Sequence, residues 1–382
     1  MVLRTMTFPQ TDCALRTNDS FRMQQQKQHH QIRSLLVDLD DLDLVADFPV
    51  SDALHLFDLG IMKRCLTRWK DGTKSYKRRF TSADCDDINN LLARANQEKP
   101  SEIHRAIRSL NVLSDWKGTK YRTLLLYVGM VVLKDFLVVE EYDHFLKLCC
   151  AVILCTSNVY RVFVLHTNMI DDLFEKYVEE YINIYGEHTI TSNVHNVCHV
   201  ANDVRRFGIL TTFDAYPFEN CLRIIKMKLS NCNKPLEQIA RRIKNTRNYK
   251  TPNIYVPILK VPVRAEAGDR FTTAFQITIF KNFKLNSKKF GDKWFLRNDG
   301  KIVEYQYALK TCGGIFVHGR EILGTDNFFT YPLLSSDIHI YRWHGEKGAE
   351  IISRLCDIKC KMFCLSYKEC FIFQPLLHTL KQ

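Results

Sequence analysis

The chain has 382 residues, of which 46% are hydrophobic and 25% charged, and its 54 Lys and Arg against 42 Asp and Glu give a net charge of +12 and a pI near 9.0. That length permits two domains and a core that closes without disulfides or metals, and the positive excess favours a polyanionic partner. The 14 cysteines are scattered from Cys13 to Cys370, and no apolar run reaches a membrane helix's roughly 18 residues, so the disulfide-scaffold and membrane-spanning classes are set aside.

Reduced thiols and the lack of a secretory or mitochondrial leader pattern read as intracellular, nuclear with the cytoplasm as alternative. Residues 1–34 read as a polar arm with little periodicity. Ser34 to Val45 alternates in part, which predicts a strand ending near Val50, a turn, and a helix starting at about Asp52. In an α/β sheet, functional acids stand at the carboxyl ends of strands, and Asp52 would occupy such a position. The helix runs on to Trp69, and between Ile61 and Arg79 there are eight bases and one acid. Lys63, Arg64, Lys77, Arg78 and Arg79 are therefore either a solvated face and loop or a surface for phosphates.

Residues 83–189 are predicted to be helical, with apolar spacing near 3.6 in Ile88–Ala95, Arg122–Phe136, Tyr142–Cys155 and Met169–Ile184. Trp116, Tyr121 and Tyr127 stand among leucines and are expected in the core rather than on a base-stacking surface. The longest apolar stretch, Leu124 to Val139, is interrupted by Lys134 and Asp135 and reads as buried helices.

Asn193 to Lys228 is the stretch around which the rest is organised. It predicts a helix carrying His195 and His199 one turn apart, a turn at Gly208, and a second helix opening after Pro217 with Glu219 in its first turn. A carboxylate is favoured there by the helix dipole. From Arg223 to Lys250 nine bases, among them Lys226, Lys228, Arg241 and Arg242, face one acid, Glu237, a balance suited to a phosphate backbone. Beyond about residue 255 short β-branched and aromatic runs, with turns such as Asn298-Asp-Gly300, predict a small all-β domain over 255–382.

Asp52-x-x-His55 and Glu219 are the candidate catalytic constellation, because two-metal phosphoryl transfer needs carboxylates converging from different elements. An Asp before a helix and a Glu in a first turn are also ordinary capping features. His195-x-x-x-His199 has zinc-protease spacing, but Asn196 stands where the general-base Glu would be. The steps from Cys356 to Cys360 and Cys364, with Cys370 beyond, lack zinc-knuckle pairing and read as buried small residues. Nucleotide-binding and acyl-transfer motifs are absent from the sequence.

With these residues on view, the chain resembles the animal version of the CACTA-type (En/Spm-like) DNA transposases. The resemblance rests on Thr17-Asn-Asp-Ser-Phe-Arg22, Phe48-Pro-Val-Ser-Asp52-Ala-Leu-His55, Trp116-Lys-Gly-Thr-Lys-Tyr-Arg122, Asn193-Val-His195, Asp203-Val-Arg205 and Pro217-Phe-Glu219-Asn. It implies an α/β fold: a partial ribonuclease H-like core from 35–82 and 190–250, a helical insertion over 83–189, and the β-rich domain after it. It also implies an Asp, Asp, Glu triad binding Mg²⁺ or Mn²⁺, in which Asp52 is the second acid and Glu219 the third. The first acid is expected upstream of this chain, so the expectation is a DNA-binding transposase remnant, inactive alone and with a homo-oligomer among its assemblies. The alternative is a host interaction protein that keeps the scaffold without catalysis.

Overall fold

In the computed structural model, residues 6–8, 10, 13–30, 32–72, 79–230, 234–246, 258–260, 272–280 and 282–381 are described. The fold is a helical region followed by antiparallel β-structure. The expected boundary at 250–255 lies outside the described residues.

The polar arm is built rather than extended. Thr17 and Ser20 form a reciprocal capping box that opens the Asn18–Arg22 helix. The Arg22 guanidinium then donates to the carbonyls of Val37, Leu39 and Leu42 at 2.6, 2.8 and 2.7 Å. Those bonds explain why the strand expected before Asp52 does not form. Carbonyls that a ladder would use are taken by Arg22, and Asp43 Oδ1 accepts from Val45 N and Ala46 N at 2.9 and 2.7 Å. With its backbone satisfied by side chains, the segment folds as a 3₁₀ turn at Leu35–Asp38 and successive turns. Among the described residues there is no strand before Ile258.

Asp52 caps the helical stretch Ala53–Met62, which has π-type hydrogen bonding and continues as Lys63–Asp71. Then come Ser82–Glu98, the consecutive pieces Gly118–Thr123, Leu124–Val128 and Gly129–Val132, and the long helices Val139–Thr156 and Met169–Tyr185. Trp116, Tyr121 and Tyr127 are buried in the core, as the surrounding leucines suggest. Among the described residues no single helix is long and apolar enough to cross a membrane; Val139–Thr156 and Asn158–His166 pass that test only as a pair bent by 99°. His144 lies inside the Val139–Thr156 helix, stacked on Tyr177 with ring centroids 4.1 Å apart, and burial pushes its imidazole down to about 3.

The larger sheet orders its strands as Lys347–Arg354, Gly314–Ile322, Ile302–Thr311, Trp294–Arg297, Ile358–Tyr367, Cys370–Pro375, Tyr341–Trp343 and Thr325–Asn327, every pairing antiparallel. A second sheet pairs Gln276–Phe280 with Ile258–Lys260 and Phe283–Asn286. The Asn298-Asp-Gly300 turn joins two neighbouring strands as expected, with Gly300 at φ +86°. The steps from Cys360 to Cys364 fall on one strand, and Cys360, Met362 and Cys364 pack with Trp294, Trp343 and Phe373. The described cysteines are all free.

One hydrophobic cluster runs through both regions: Phe57, Trp69, Tyr177 and Val204 of the helices share it with Phe328, Phe363, Ile372 and Leu376 of the β-region. Buried polar bonds stitch the same seam. Gln374 Nε2 donates to the Tyr127 carbonyl at 2.8 Å, Tyr160 Oη to the Ile338 carbonyl at 2.9 Å, and Ser366 N to Glu98 at 2.9 Å. Lys361, with no side-chain exposure, is held between Glu102 and Asp292 at 2.6 Å each. At Gly291 a Cβ would stand 2.3 Å from the Lys99 carbonyl oxygen, so the two regions approach there at backbone contact.

Candidate polar site around Asp52

Asp52 is placed by bonds on both sides of it. Just upstream, Asp203 Oδ2 accepts from Val50 N and Ser51 N at 2.8 and 3.0 Å, and Arg206 reaches Asp47 at 2.6 Å. These bonds anchor the 47–51 segment on the Val200–Phe207 helix, and Arg205 ties that helix to Asp171 through both carboxylate oxygens. Downstream, Asp52 Oδ1 accepts from Leu54 N at 3.2 Å and Oδ2 from His55 N at 3.2 Å, the usual way an N-cap satisfies orphan helical donors. His55 Nδ1 closes onto the same Oδ2, and the imidazole is otherwise half exposed.

Asp52 Oδ1 also accepts from Ala215 N at 2.7 Å, across 163 residues of sequence. Ala215 caps the Tyr216–Met227 helix, with Pro217 in its first turn, and its carbonyl accepts from Glu219 N at 2.9 Å. The Asp-x-x-His segment and the Pro-Phe-Glu segment therefore meet, joined through one peptide unit. The Glu219 side chain itself is exposed.

Behind this junction lies a buried polar network that sequence reading does not reveal. Tyr216 Oη donates to Asp58 Oδ2 at 2.7 Å, Arg122 Nη1 donates to Asp214 Oδ2 at 3.2 Å, and the Arg122 guanidinium lies 5.3 Å from the Tyr216 ring centroid. Gly118 makes room for it, since a Cβ there would meet Leu54 Cδ1 at 2.3 Å and Tyr216 Oη at 3.0 Å. Arg122 and Tyr216 adjoin conspicuous motif positions, but contacts spanning 92 and 158 residues leave no periodic trace by which Asp214 and Asp58 could be found.

Burial pushes the Asp58 carboxyl up to about 8, against the opposing pull of Arg122 and the Tyr216 hydroxyl. A carboxyl whose pKa is higher folded than unfolded binds a proton preferentially in the native state, so its contribution to stability is lost as pH rises from near 4 to near 8. Asp58→Asn is expected to remove a slope of up to about 1.4 kcal/mol per pH unit over that window. Urea unfolding of both proteins at a series of pH values checks this; parallel profiles would contradict it.

The expected phosphate-contacting residues divide into groups. Lys63 and Arg79 are exposed. Arg64 is half-buried, donating to Thr191 Oγ1 at 2.7 Å and the Thr189 carbonyl at 3.3 Å, and so serves internal packing rather than an open face. Arg68 of the same basic run is buried against Tyr181. Lys77 and Arg78 lie outside the described residues.

Arg223, Lys226, Arg241 and Arg242 are exposed and Lys228 is half-buried, on the helical pair Tyr216–Met227 and Pro235–Thr246. No residue of the first helix is buried, and Phe218 and Met227 are 69% and 70% exposed on it.

His195 and His199 stack edge-to-face at 5.4 Å, but His195 Nδ1 is bonded to the Phe8 carbonyl at 3.2 Å, which joins the arm to this helix rather than opening a ligand position. A divalent cation finds no ready set at Asp52 either. Its two oxygens already accept from Leu54, Ala215 and His55, and among the described residues no three His, Cys, Asp or Glu side chains are grouped to hold a metal ion. The residues do not fit Mg²⁺ or Mn²⁺ as they stand.

The segment 259–376 matches a domain of unknown function, DUF8592. No curated protein and no solved structure matches the chain.

Proposed function

We propose that the protein is a transposase-derived DNA-binding protein of the nucleus, retaining the frame of a cut-and-paste enzyme without working catalysis of its own. The observation that carries this reading is the bond from Ala215 N to Asp52, which joins the two segments resembling the Asp and Glu motifs of such enzymes. On this reading residues 35–82 and 190–250 belong to a partial ribonuclease H-like core. DNA is engaged by Lys63 and Arg79 and, above all, by Arg223, Lys226, Lys228, Arg241 and Arg242. Exposed cations on a helical pair whose acids, Glu219 and Glu237, both lie in first turns suit a phosphate backbone. A homo-oligomer would let two such faces hold two DNA segments.

Filter binding to a mixed-sequence duplex over a range of salt is the test. Log affinity should fall against log salt with a slope of about −0.9 per phosphate neutralised, and Arg241→Gln with Arg242→Gln should flatten it by one to two contacts, at roughly 0.9 each. Affinity that does not respond to salt would remove the DNA reading.

A second reading, a non-catalytic interaction protein, is favoured by the saturation of Asp52 as a cap. Asp52→Ala is then expected to cost about 1–2 kcal/mol of stability, with Mg²⁺ affinity measured by titration calorimetry unchanged. A lost Mg²⁺ isotherm in that variant would return Asp52 to a metal site.

A further inference from the structure

A cavity of about 660 Å³ lies beside the Arg122 network, bounded by residues 102–105, the Gly118–Thr123 helix, residues 156–158 and 209–211, and the tail segment 376–380. Its size is within the roughly 300–1,000 Å³ that small-molecule sites occupy. Its one acid is already neutralised. Glu102 Oε2 pairs with Lys361 at 2.6 Å and Oε1 accepts from Lys284 N at 2.7 Å.

Two guanidiniums line it with capacity to spare. Arg105 makes no hydrogen bond or ion pair with a described residue, and Arg122 donates to Asp214 through Nη1 alone. Ile209, Leu126 and Leu377 add apolar surface to the lining.

We propose that this cavity binds a small phosphate-bearing molecule with an apolar or aromatic body, its phosphate held by Arg105 and Arg122, its body packed on Leu126, Ile209 and Leu377. Guanidinium forks match phosphate oxygens in geometry and charge, whereas a purely apolar ligand would leave both guanidiniums unused. The inference stands apart from the DNA-binding face, which uses other residues.

Titration calorimetry on the full chain with AMP, with pyrophosphate and with a single-stranded oligonucleotide decides it. AMP is expected to bind and to raise the melting temperature, and Arg105→Gln to weaken it by about tenfold or more, the effect of one charge-assisted contact. Absence of AMP and pyrophosphate binding at millimolar concentration would overturn the proposal, as would AMP binding that Arg105→Gln leaves unchanged. An oligonucleotide that binds here in preference to AMP, with the same dependence on Arg105, would overturn the small-molecule assignment and give the phosphate site to nucleic acid.

Discussion

Replacing Lys361 with methionine is expected to destabilise the protein by about 3–5 kcal/mol, the usual cost of breaking a buried ion pair from one side. Lys361 lies on a strand of the larger sheet with no side-chain exposure, and its ammonium sits 2.6 Å from both Glu102 and Asp292, which are themselves 4% and 5% exposed. Removing the cation leaves two carboxylates facing each other inside the seam between helices and sheet. The two acids are also backbone anchors, Asp292 accepting from Ser101 N at 2.8 Å and Glu102 from Lys284 N at 2.7 Å, so they cannot turn outward without releasing those donors. Combining Lys361→Met with Glu102→Gln and Asp292→Asn should recover much of the loss, because amides accept the same backbone bonds without charge. Urea denaturation of the single and triple variants measures both effects. A single variant within about 1 kcal/mol of wild type would show that the triad contributes nothing net.

Asp203→Ala is expected to cost roughly 3 kcal/mol, since one carboxylate oxygen holds two backbone amides at 2.8 and 3.0 Å and both would be left without it. Ser51 is fully buried, so water cannot simply take over the bond to its amide. Asp203→Asn should be milder, because its amide oxygen can accept the same bonds though without charge. The loss is local as well as global: Val50 and Ser51 are the residues that aim Asp52 at Ala215. Hydrogen exchange should show the amides of residues 50–55 and 215–219 opening together in Asp203→Ala. Protection unchanged at Ala215 would separate the anchor from the Asp52 junction.

The two variants also show where sequence reading succeeds and where it stops. Helices over 83–189 were legible because apolar residues recur with helical spacing, burying one face in the Met169–Tyr185 helix and the whole circumference from His144 onward in the Val139–Thr156 helix. The burial of Lys361 on the strand Ile358–Tyr367 was not, because Lys361 falls in step with Lys359 in the sequence and is buried only through two acids elsewhere in the chain. The strand expected before Asp52 failed for a related reason. Alternation in Ser34–Val45 is a local signal, and the Arg22 guanidinium and the Asp43 carboxylate compete for the backbone groups a ladder would need.

At the candidate site, the capping role of Asp52 and the first-turn position of Glu219 were readable, since both depend on a few neighbouring residues and on the direction of a helix. Their meeting was not, nor were Asp58 and Asp214.

By itself the sequence determined the helical character of the middle of the chain, the β-rich character of its last third, and the basic balance of charge. These are properties of composition and short-range period, which act within a turn of helix or a pair of strand residues. Only the tertiary structure decided which charges are available. Arg64, Arg68 and Lys361 look in the sequence like the exposed lysines and arginines around them, yet each is turned inward onto a hydroxyl, a carbonyl or a carboxylate. The physical reason is that a charge leaves water only where partners from distant segments replace its hydration, and no local pattern records where those partners will be.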